Sequence, residues 1–167
     1  VDDNGVEDFQ GIMKEIKITK GMLRSAEKRA AEMGILKNSI RKGAGNLVGM
    51  LGEEIVLDVM GGDLKSSYDY DIVLPDGRTT DVKTKLTTVP PLPSYSCSVS
   101  AYNIHQDCDL YTFVRVKKDL TVGWYLGSLT KLEFFNTARF FEKGAVTGDN
   151  NHKVTASCYN CNISALH

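Results

Sequence analysis

The sequence predicts an α/β domain in which two helices precede a sheet of about five strands, with helices packed on the sheet. Three observations support this fold class. Residues 46–60 place apolar side chains at helical spacing. Residues 68–85 alternate in polarity on both sides of a tight turn, which is typical of a β-hairpin. Three further stretches, at 95–101, 110–116 and 122–127, are apolar or alternating and predict strands.

The composition is that of one ordinary globular domain. The chain has 167 residues, of which 42% are hydrophobic and 25% are charged, and this is enough for one hydrophobic core. The formal net charge of −1 gives no overall basic field, so any positive charge that binds a nucleic acid must be local. We expect residues 1–18 to form an acidic tail and residues 19–167 a single domain with its core at 46–127.

The sequence has the features of a cytoplasmic protein. No apolar run approaches the ~20 residues of a membrane-spanning helix, and the acidic beginning is unlike a signal peptide. Four irregularly spaced cysteines favour reduced thiols, although an even number also permits disulfides. We therefore expect a cytoplasmic location and no membrane partner.

A basic, glycine-rich connector is predicted between the two helices. The first helix should begin after Thr19, as its N-cap, and end before Gly34. The connector at 36–46 contains Arg41 and Lys42, and backbone amides at a glycine-rich helix entrance can hold phosphate oxygens. A flexible connector with solvated basic side chains explains the same residues equally well.

The second predicted helix, at 46–60, carries two adjacent glutamates. Its apolar stripe should face the core, and Gly61-Gly62 should end it. Glu53 and Glu54 project in different directions, and the apolar spacing does not decide which of them faces a site. Both glutamates are therefore candidate ligands for a metal.

The predicted hairpin brings charged side chains together. Its turn is Pro75-Asp76-Gly77, because proline fixes one central position and glycine supplies a conformation that other residues resist. Counting back from the turn places Asp71 opposite Asp81, with Lys83 on the same face of the second strand. Like charges opposite each other destabilise a sheet, and a divalent cation would compensate them. Two carboxylates suit Mg²⁺, and Lys83 could position a water or offset charge on a phosphate.

The downstream segments complete the predicted fold. A prolyl loop at 89–93 cannot pair as a central strand. After the fifth strand, Ser128 or Thr130 should cap a helix that runs through Phe141, with its aromatic side chains in the core. The tail from Val154 is predicted to end in another strand-like segment.

One arrangement in this sequence resembles the motif of the PD-(D/E)xK nuclease superfamily. It consists of Asp71 on one strand, the turn, and the tripeptide Asp81-Val82-Lys83 on the next strand. The sequence Gly52-Glu53-Glu54 resembles the glutamate-bearing first helix of that superfamily. The resemblance covers residues 46–126 and departs from the motif at Tyr70, which stands where a proline often precedes the first aspartate. It implies a restriction-endonuclease-like core, a mixed sheet of about five strands flanked by α-helices.

The resemblance also implies roles for individual residues. The implied catalytic residues are Asp71, Asp81, Lys83, Glu53 and Gln106. The implied metal ligands are Asp71, Asp81 and either Glu53 or Glu54, of which Glu53 is preferred because it directly follows Gly52, as in the superfamily. Gln106 is included because a polar residue after the third strand often faces the site in this superfamily, and Asn103 and His105 are the alternatives.

The implied function is Mg²⁺-dependent hydrolysis of phosphodiester bonds in DNA, with Mn²⁺ as a substitute and endonuclease action favoured. RNA is the alternative substrate, and the sequence does not choose between one metal ion and two. Phosphate contacts are expected from Lys20, Arg41, Lys42 and Lys85. The flanking segments match loosely, as in phage-encoded members, which would place the protein in the host cytoplasm. A homodimer would pool local basic patches.

Two other classes of function stay open. A nuclease-like fold could serve as a catalytically silent nucleic-acid-binding or assembly protein, which would bind without Mg²⁺ and cleave nothing. A zinc-stapled interaction module is the other class, because His152, Cys158, Cys161 and His167 are ligand types that zinc accepts. Their outer spacing matches no common zinc finger, and buried free cysteines are common as small hydrophobic residues.

Overall fold

The computed structural model of the protein describes residues 13–37, 44–147 and 152–167. Within these ranges the protein has three α-helices, a curled six-stranded mixed sheet and a small three-stranded sheet. The predicted α/β class is therefore confirmed, and helices pack on the sheet as expected. None of the helices in these ranges is long and apolar enough to cross a membrane.

Two helices follow the first strand, and the third helix lies between the seventh and eighth strands. The helices are α1 (Lys20–Lys37), α2 (Ala44–Met60) and α3 (Lys131–Thr137). The strands are β1 (Lys14–Lys17), β2 (Asp63–Leu64), β3 (Ile72–Val73), β4 (Thr79–Thr87), β5 (Ser96–Ser100), β6 (Leu110–Lys117), β7 (Val122–Thr130), β8 (Arg139–Phe141) and β9 (Cys158–Asn162). Short 3₁₀ turns follow β5 and β9, at Ala101–Asn103 and Ile163–Ala165.

The main sheet has the strand order β1-β7-β6-β4-β3-β2, and the small sheet has the order β5-β9-β8. Strands β4 and β6 run parallel, and the other neighbouring pairs of the main sheet are antiparallel. Helices α1 and α2 cover one face of the main sheet and form the first hydrophobic core with it. Helix α3 and the small sheet pack with the other face around a second core, rich in aromatic side chains.

Helix α2 packs very close to the main sheet at two glycines. A Cβ atom on Gly52 of α2 would lie 1.9 Å from Thr84 Oγ1 on β4. A Cβ atom on Gly123 of β7 would lie 2.4 Å from Ile55 Cδ1 on α2. Both distances are too short for non-bonded atoms, so each glycine is required for this packing. The close approach sets the distance of Glu53, which follows Gly52, from the strands beneath it.

The predicted helix ends are partly confirmed. Thr19 Oγ1 accepts a hydrogen bond from the Met22 N–H at 3.1 Å, which is the expected N-cap contact of α1. Helix α2 ends as predicted before Gly61, which has φ of +73°. The expectation that Gly34 ends α1 is wrong, because the helix continues to Lys37. A glycine inside a helix costs only about 1 kcal/mol relative to alanine, so it does not by itself stop one.

The predicted hairpin is confirmed. The Gly77 N–H donates to the Leu74 carbonyl at 2.9 Å, and the Leu74 N–H donates to the Arg78 carbonyl at 2.8 Å. Gly77 has φ of +88°, the left-handed region that glycine adopts without strain. Strands β3 and β4 pair antiparallel in the register Ile72↔Thr80.

Three expectations about the periphery of the domain are wrong. Strand β1 lies inside the segment 1–18 that was expected to be a tail, because it pairs antiparallel with β7. Strand β5 was expected in the main sheet and instead pairs with β9. The helix predicted to run through Phe141 ends at Thr137, where Ala138 turns extended and the chain enters β8.

Candidate active site

The hairpin places two aspartates side by side, as the count from the turn predicted. The Asp71 N–H donates to the Thr80 carbonyl at 3.0 Å, which continues the β3–β4 pairing to the level of Asp81. Asp71 Oδ2 accepts a hydrogen bond from the Val82 N–H at 2.8 Å, so its side chain reaches over β4. Asp81 is 4% exposed. The two carboxylates therefore lie together on a largely buried part of the sheet.

Burial and mutual repulsion make both carboxyls weaker acids than usual. Burial, together with the neighbouring negative charge of Glu53, raises the pKa of Asp71 from 3.8 to about 7. Burial also raises the pKa of Asp81 to about 6; the Lys83 ammonium opposes this shift, and the charge of Asp71 adds to it. Three carboxylates thus influence one another at this place. A bound cation would favour their ionised forms.

Helix α2 turns its two glutamates toward different neighbours. Glu53 is 8% exposed and lies close enough to Asp71 to hydrogen-bond its carboxyl. Its Oε2 lies 2.6 Å from Arg29 Nη1 on α1. Glu54 Oε1 accepts from Ser25 Oγ at 2.6 Å and lies 3.0 Å from Arg29 Nη2. Both glutamates thus pair with Arg29 of α1, and Glu53 is the one that also faces the aspartates.

Lys83 and Gln106 form a hydrogen-bonded group with Asp81. Lys83 Nζ lies 2.6 Å from Asp81 Oδ2 and donates to Gln106 Oε1 at 3.0 Å. Gln106 Nε2 donates to Asp81 Oδ1 at 3.2 Å and to the Tyr68 carbonyl at 2.7 Å. Gln106 is 6% exposed, and its backbone carbonyl accepts a hydrogen bond from Lys131 Nζ on α3. The geometry fixes the amide of Gln106 and, through it, the position of the Lys83 ammonium.

Of the alternatives to Gln106, His105 is exposed and Asn103 is half-buried. Neither is hydrogen-bonded to the carboxylates in the way that Gln106 is. Gln106 is thus the residue of this segment that the structure brings into the cluster of Glu53, Asp71, Asp81 and Lys83. We call these five residues the carboxylate cluster.

The carboxylate cluster suits a divalent cation in its donor chemistry and in its charge. If all groups are ionised, its acidic residues Glu53, Asp71 and Asp81 exceed its one cation, Lys83, by two charges, and the neighbouring Glu54 and Arg29 cancel each other. That excess equals the charge of one Mg²⁺ ion, which prefers carboxylate oxygens and takes its remaining ligands from water and phosphate. Among the described residues, no three His, Cys, Asp or Glu side chains already converge as a complete ligand set. The fit is therefore one of chemistry and charge.

The basic side chains expected to contact phosphate are distributed differently. Lys85 lies two residues beyond Lys83 on the same face of β4, and its Nζ donates to Ser96 Oγ at 3.0 Å. Lys20 is exposed at the beginning of α1, about 13 Å along the helix axis from Arg29. Arg41 and Lys42 lie outside the described residues. Of this group, only Lys85 can be placed beside the cluster from the structure.

The four side chains considered as zinc ligands do not come together. Cys161 pairs across the small sheet with Cys97, and His167 Nε2 lies 3.1 Å from Glu133 Oε2. Cys158 Sγ donates to Asn160 Oδ1 at 3.3 Å, and three residues of extended strand turn it away from Cys161. His152 is exposed.

Arg29, Ser25 and Lys131 belong to the surroundings of the cluster and were not anticipated from the sequence. Each makes a long-range contact with a residue at least 24 positions away in the chain. One signal did exist for Arg29: it stands between Ala26 and Ala30, which are buried at helical spacing. An arginine beside the buried stripe of an amphipathic helix needs a carboxylate partner.

Comparison with known proteins gives no relative for this chain. No protein-family model matches it, and the search of curated proteins found no match.

Proposed function

We propose that the protein is a Mg²⁺-dependent nuclease that hydrolyses phosphodiester bonds in DNA, with Mn²⁺ as a substitute and endonuclease action favoured. The observation that carries this proposal is the convergence of Asp71, Asp81 and Lys83 with Glu53 from α2 and Gln106. A restriction-endonuclease-like arrangement is proposed with it. It is supported by the packing of the glutamate-bearing helix on the hairpin strand β4.

Each residue of the cluster has a chemical role in this proposal. Asp71 and Asp81 hold the metal, and Glu53 completes the negative charge around it. When bound, Mg²⁺ supplies a Lewis acid and lowers the pKa of its water. Lys83 stays beside the reacting phosphate and offsets the negative charge that develops there, and Gln106 holds its ammonium in that position. Arg29 pairs with Glu53 and orients it from the side of α1.

The test is cleavage of supercoiled plasmid DNA with Mg²⁺, with Mn²⁺ and with EDTA. We expect nicking with either metal and none with EDTA. Substitution Lys83→Met should lower the rate by about 10²–10³-fold, as removal of one charge-stabilising donor commonly does. The matched control is Lys28→Met, because Lys28 is an exposed lysine on α1. Circular dichroism must show that both variants fold, and a structured RNA serves as the second substrate.

A catalytically silent nucleic-acid-binding or assembly protein is the second candidate, and one observation favours it. Both oxygens of Asp81 are already engaged, by Lys83 at 2.6 Å and by Gln106 at 3.2 Å. In a site that never binds metal, this pairing would be the permanent state. The second candidate predicts that wild-type protein binds DNA equally with and without Mg²⁺ and cleaves nothing. That result would remove the nuclease proposal.

A further inference from the structure

Two cavities next to the carboxylate cluster share a wall. The inner cavity, of about 320 Å³, lies between β4, β6 and β5 and is bordered by Lys83, Lys85 and Arg115. The outer cavity, of about 470 Å³, is bordered by Lys85, Tyr95, Arg115 and Lys118. Lys85 and Arg115 border both cavities. Because Lys83 also contacts Asp81, the two cavities lead from the cluster outward along the sheet.

The sheet register places the basic side chains in a row. Strands β4 and β6 are parallel, with Lys83 beside Phe113 and Lys85 beside Arg115. Alternate residues share a face, so Asp81, Lys83 and Lys85 follow one another at intervals of about 6.7 Å. Lys118, in the turn after β6, borders the outer cavity together with Arg115 and so continues the row. The positive charges thus form a track that begins at the carboxylates.

Among the residues that the structure describes, those lining the two cavities include basic side chains and no acidic one. This matters because acidic residues outnumber basic ones in the chain as a whole, 21 to 20. The basic charge needed to attract a polyanion is therefore concentrated where the track runs, although the protein has no overall basic field. A low-dielectric cleft of one charge sign concentrates oppositely charged ligands.

The track is held in place, and it passes an aromatic ring. Arg115 Nη2 donates to the Ser96 carbonyl at 2.9 Å, and Lys85 Nζ donates to Ser96 Oγ at 3.0 Å. The Arg115 guanidinium lies 5.1 Å from the centre of the Tyr95 ring, which borders the outer cavity. A basic groove with an aromatic side chain is the usual means of binding a single nucleic-acid strand, because bases stack on the ring without regard to sequence.

The aromatic ring of the outer cavity favours one strand over two. The bases of a duplex are stacked on one another inside the helix, whereas the bases of a single strand are free to stack on Tyr95. The Lys83–Lys85 interval also suits a flexible, single backbone that passes along a strand of the sheet.

We infer that the two cavities form a groove for one single strand of nucleic acid. Backbone phosphates lie beside Lys85, Arg115 and Lys118, a base stacks on Tyr95, and the strand enters the carboxylate cluster past Lys83. The inference rests on the proposed nuclease function for the identity of the polyanion. It adds that the substrate is single-stranded at the site of cleavage.

The test measures binding by fluorescence anisotropy with a fluorescein-labelled (dT)₁₂, its ribose counterpart (rU)₁₂ and a blunt duplex of equal length, all in EDTA. We expect (dT)₁₂ or (rU)₁₂ to bind at least tenfold more tightly than the duplex. The comparison of their two affinities shows whether the bound strand is DNA or RNA. Lys118→Ala should reduce the slope of log K against log salt by about 0.7, the value for one phosphate contact of a single strand. Tyr95→Ala should weaken binding by about tenfold.

The control variant is Lys28→Ala, which should leave both the affinity and the salt slope unchanged. Lys118 is exposed, so its variant tests the groove even if Tyr95→Ala fails to fold. The inference is overturned if (dT)₁₂ and (rU)₁₂ do not bind, if the duplex binds equally well, or if Lys118→Ala behaves like Lys28→Ala. Because EDTA prevents metal-dependent cleavage, groove binding without nuclease activity would overturn only the proposed function. If the protein cleaves DNA but Lys118→Ala and Tyr95→Ala bind single strands as wild type does, only the groove is overturned.

Discussion

Substitution of Gly52 by alanine should destabilise the protein, although alanine is the better helix former. An added Cβ would lie 1.9 Å from Thr84 Oγ1 and 3.0 Å from both Thr84 Cβ and Thr84 Cγ2. These atoms belong to a short, β-branched side chain of β4, which cannot move aside as a long side chain would. Either α2 moves away from the sheet or the strand gives way, and both changes displace Glu53 from Asp71.

The size of the effect follows from two opposing contributions. Overpacking of a well-packed core costs about 1–3 kcal/mol. Replacement of a helical glycine by alanine contributes about 0.5–1 kcal/mol of stability. With three contacts at or below 3.0 Å, the steric cost should lie near the upper limit. We expect Gly52→Ala to lower the free energy of unfolding by about 2 kcal/mol, or Tm by about 4–8 °C.

Urea unfolding followed by circular dichroism measures this change, and the same helix offers a matched control. A Cβ on Gly49 would have no heavy atom within 4 Å, so Gly49→Ala should be neutral or stabilising by up to about 1 kcal/mol. Thr84→Ala removes two of the three clashing atoms and should restore part of the stability in the double variant. The reasoning would be refuted if Gly52→Ala were as stable as Gly49→Ala, or if Thr84→Ala did not affect the loss.

Two further predictions concern the charges of the site. Arg29→Met should lower the free energy of unfolding by about 2–4 kcal/mol at pH 7.5, because it leaves the largely buried Glu53 and its neighbouring glutamate without their cation; urea unfolding measures this loss. The second prediction is that stability in EDTA falls as the pH rises from about 4 to about 7. In that window the folded protein binds more protons than the unfolded chain, since the pKa of Asp71 is raised from 3.8 to about 7 and that of Asp81 to about 6. Asp71→Asn should therefore exceed wild type in stability at pH 8, by up to about 4 kcal/mol, and lose this advantage at pH 4.

Each of these predictions has a control and a contradicting result. Lys28→Met, an exposed neighbour of Arg29, should change stability by less than about 0.5 kcal/mol. If Arg29→Met and Lys28→Met lowered the free energy of unfolding equally, the ion pairs between Arg29 and α2 would contribute nothing to stability. For the pH dependence, the comparison of Asp71→Asn with wild type removes the titration of every group that Asp71 does not influence; Asp81, whose pKa the Asp71 charge raises, contributes in the same direction. A constant stability difference between pH 4 and pH 8 would show that Asp71 has an ordinary pKa.

The local features of the site could be predicted from the sequence because each has a short-range cause. The turn at Pro75-Asp76-Gly77 fixes the hairpin, and strict alternation on both sides then fixes which side chains share a face. This is why Asp71, Asp81 and Lys83 were placed together correctly. Their metal and catalytic roles stay predictions.

The long-range features could not be predicted for a physical reason. Alternation identifies 95–101 as a strand, but it does not say which sheet the strand joins, and β5 pairs with β9 more than 50 residues later. The aromatic residues after Thr130 fit helical spacing, yet Phe140 lies on β8 and is 51% exposed. That Glu53 reaches Asp71 while Glu54 accepts from Ser25 depends on how α2 packs between the sheet and α1. No pattern within one segment contains that information.

The outer strands of the main sheet have a consequence for self-association. At one edge, β1 has the sequence Lys-Glu-Ile-Lys, and at the other edge β2 has only two residues. An unpaired strand edge can recruit the backbone of a neighbouring molecule, and charge and shortness are the features that prevent it. The apolar central strands therefore lie between two edge strands that give a second chain little backbone to pair with. Edge-to-edge pairing of two copies through this sheet is thus disfavoured.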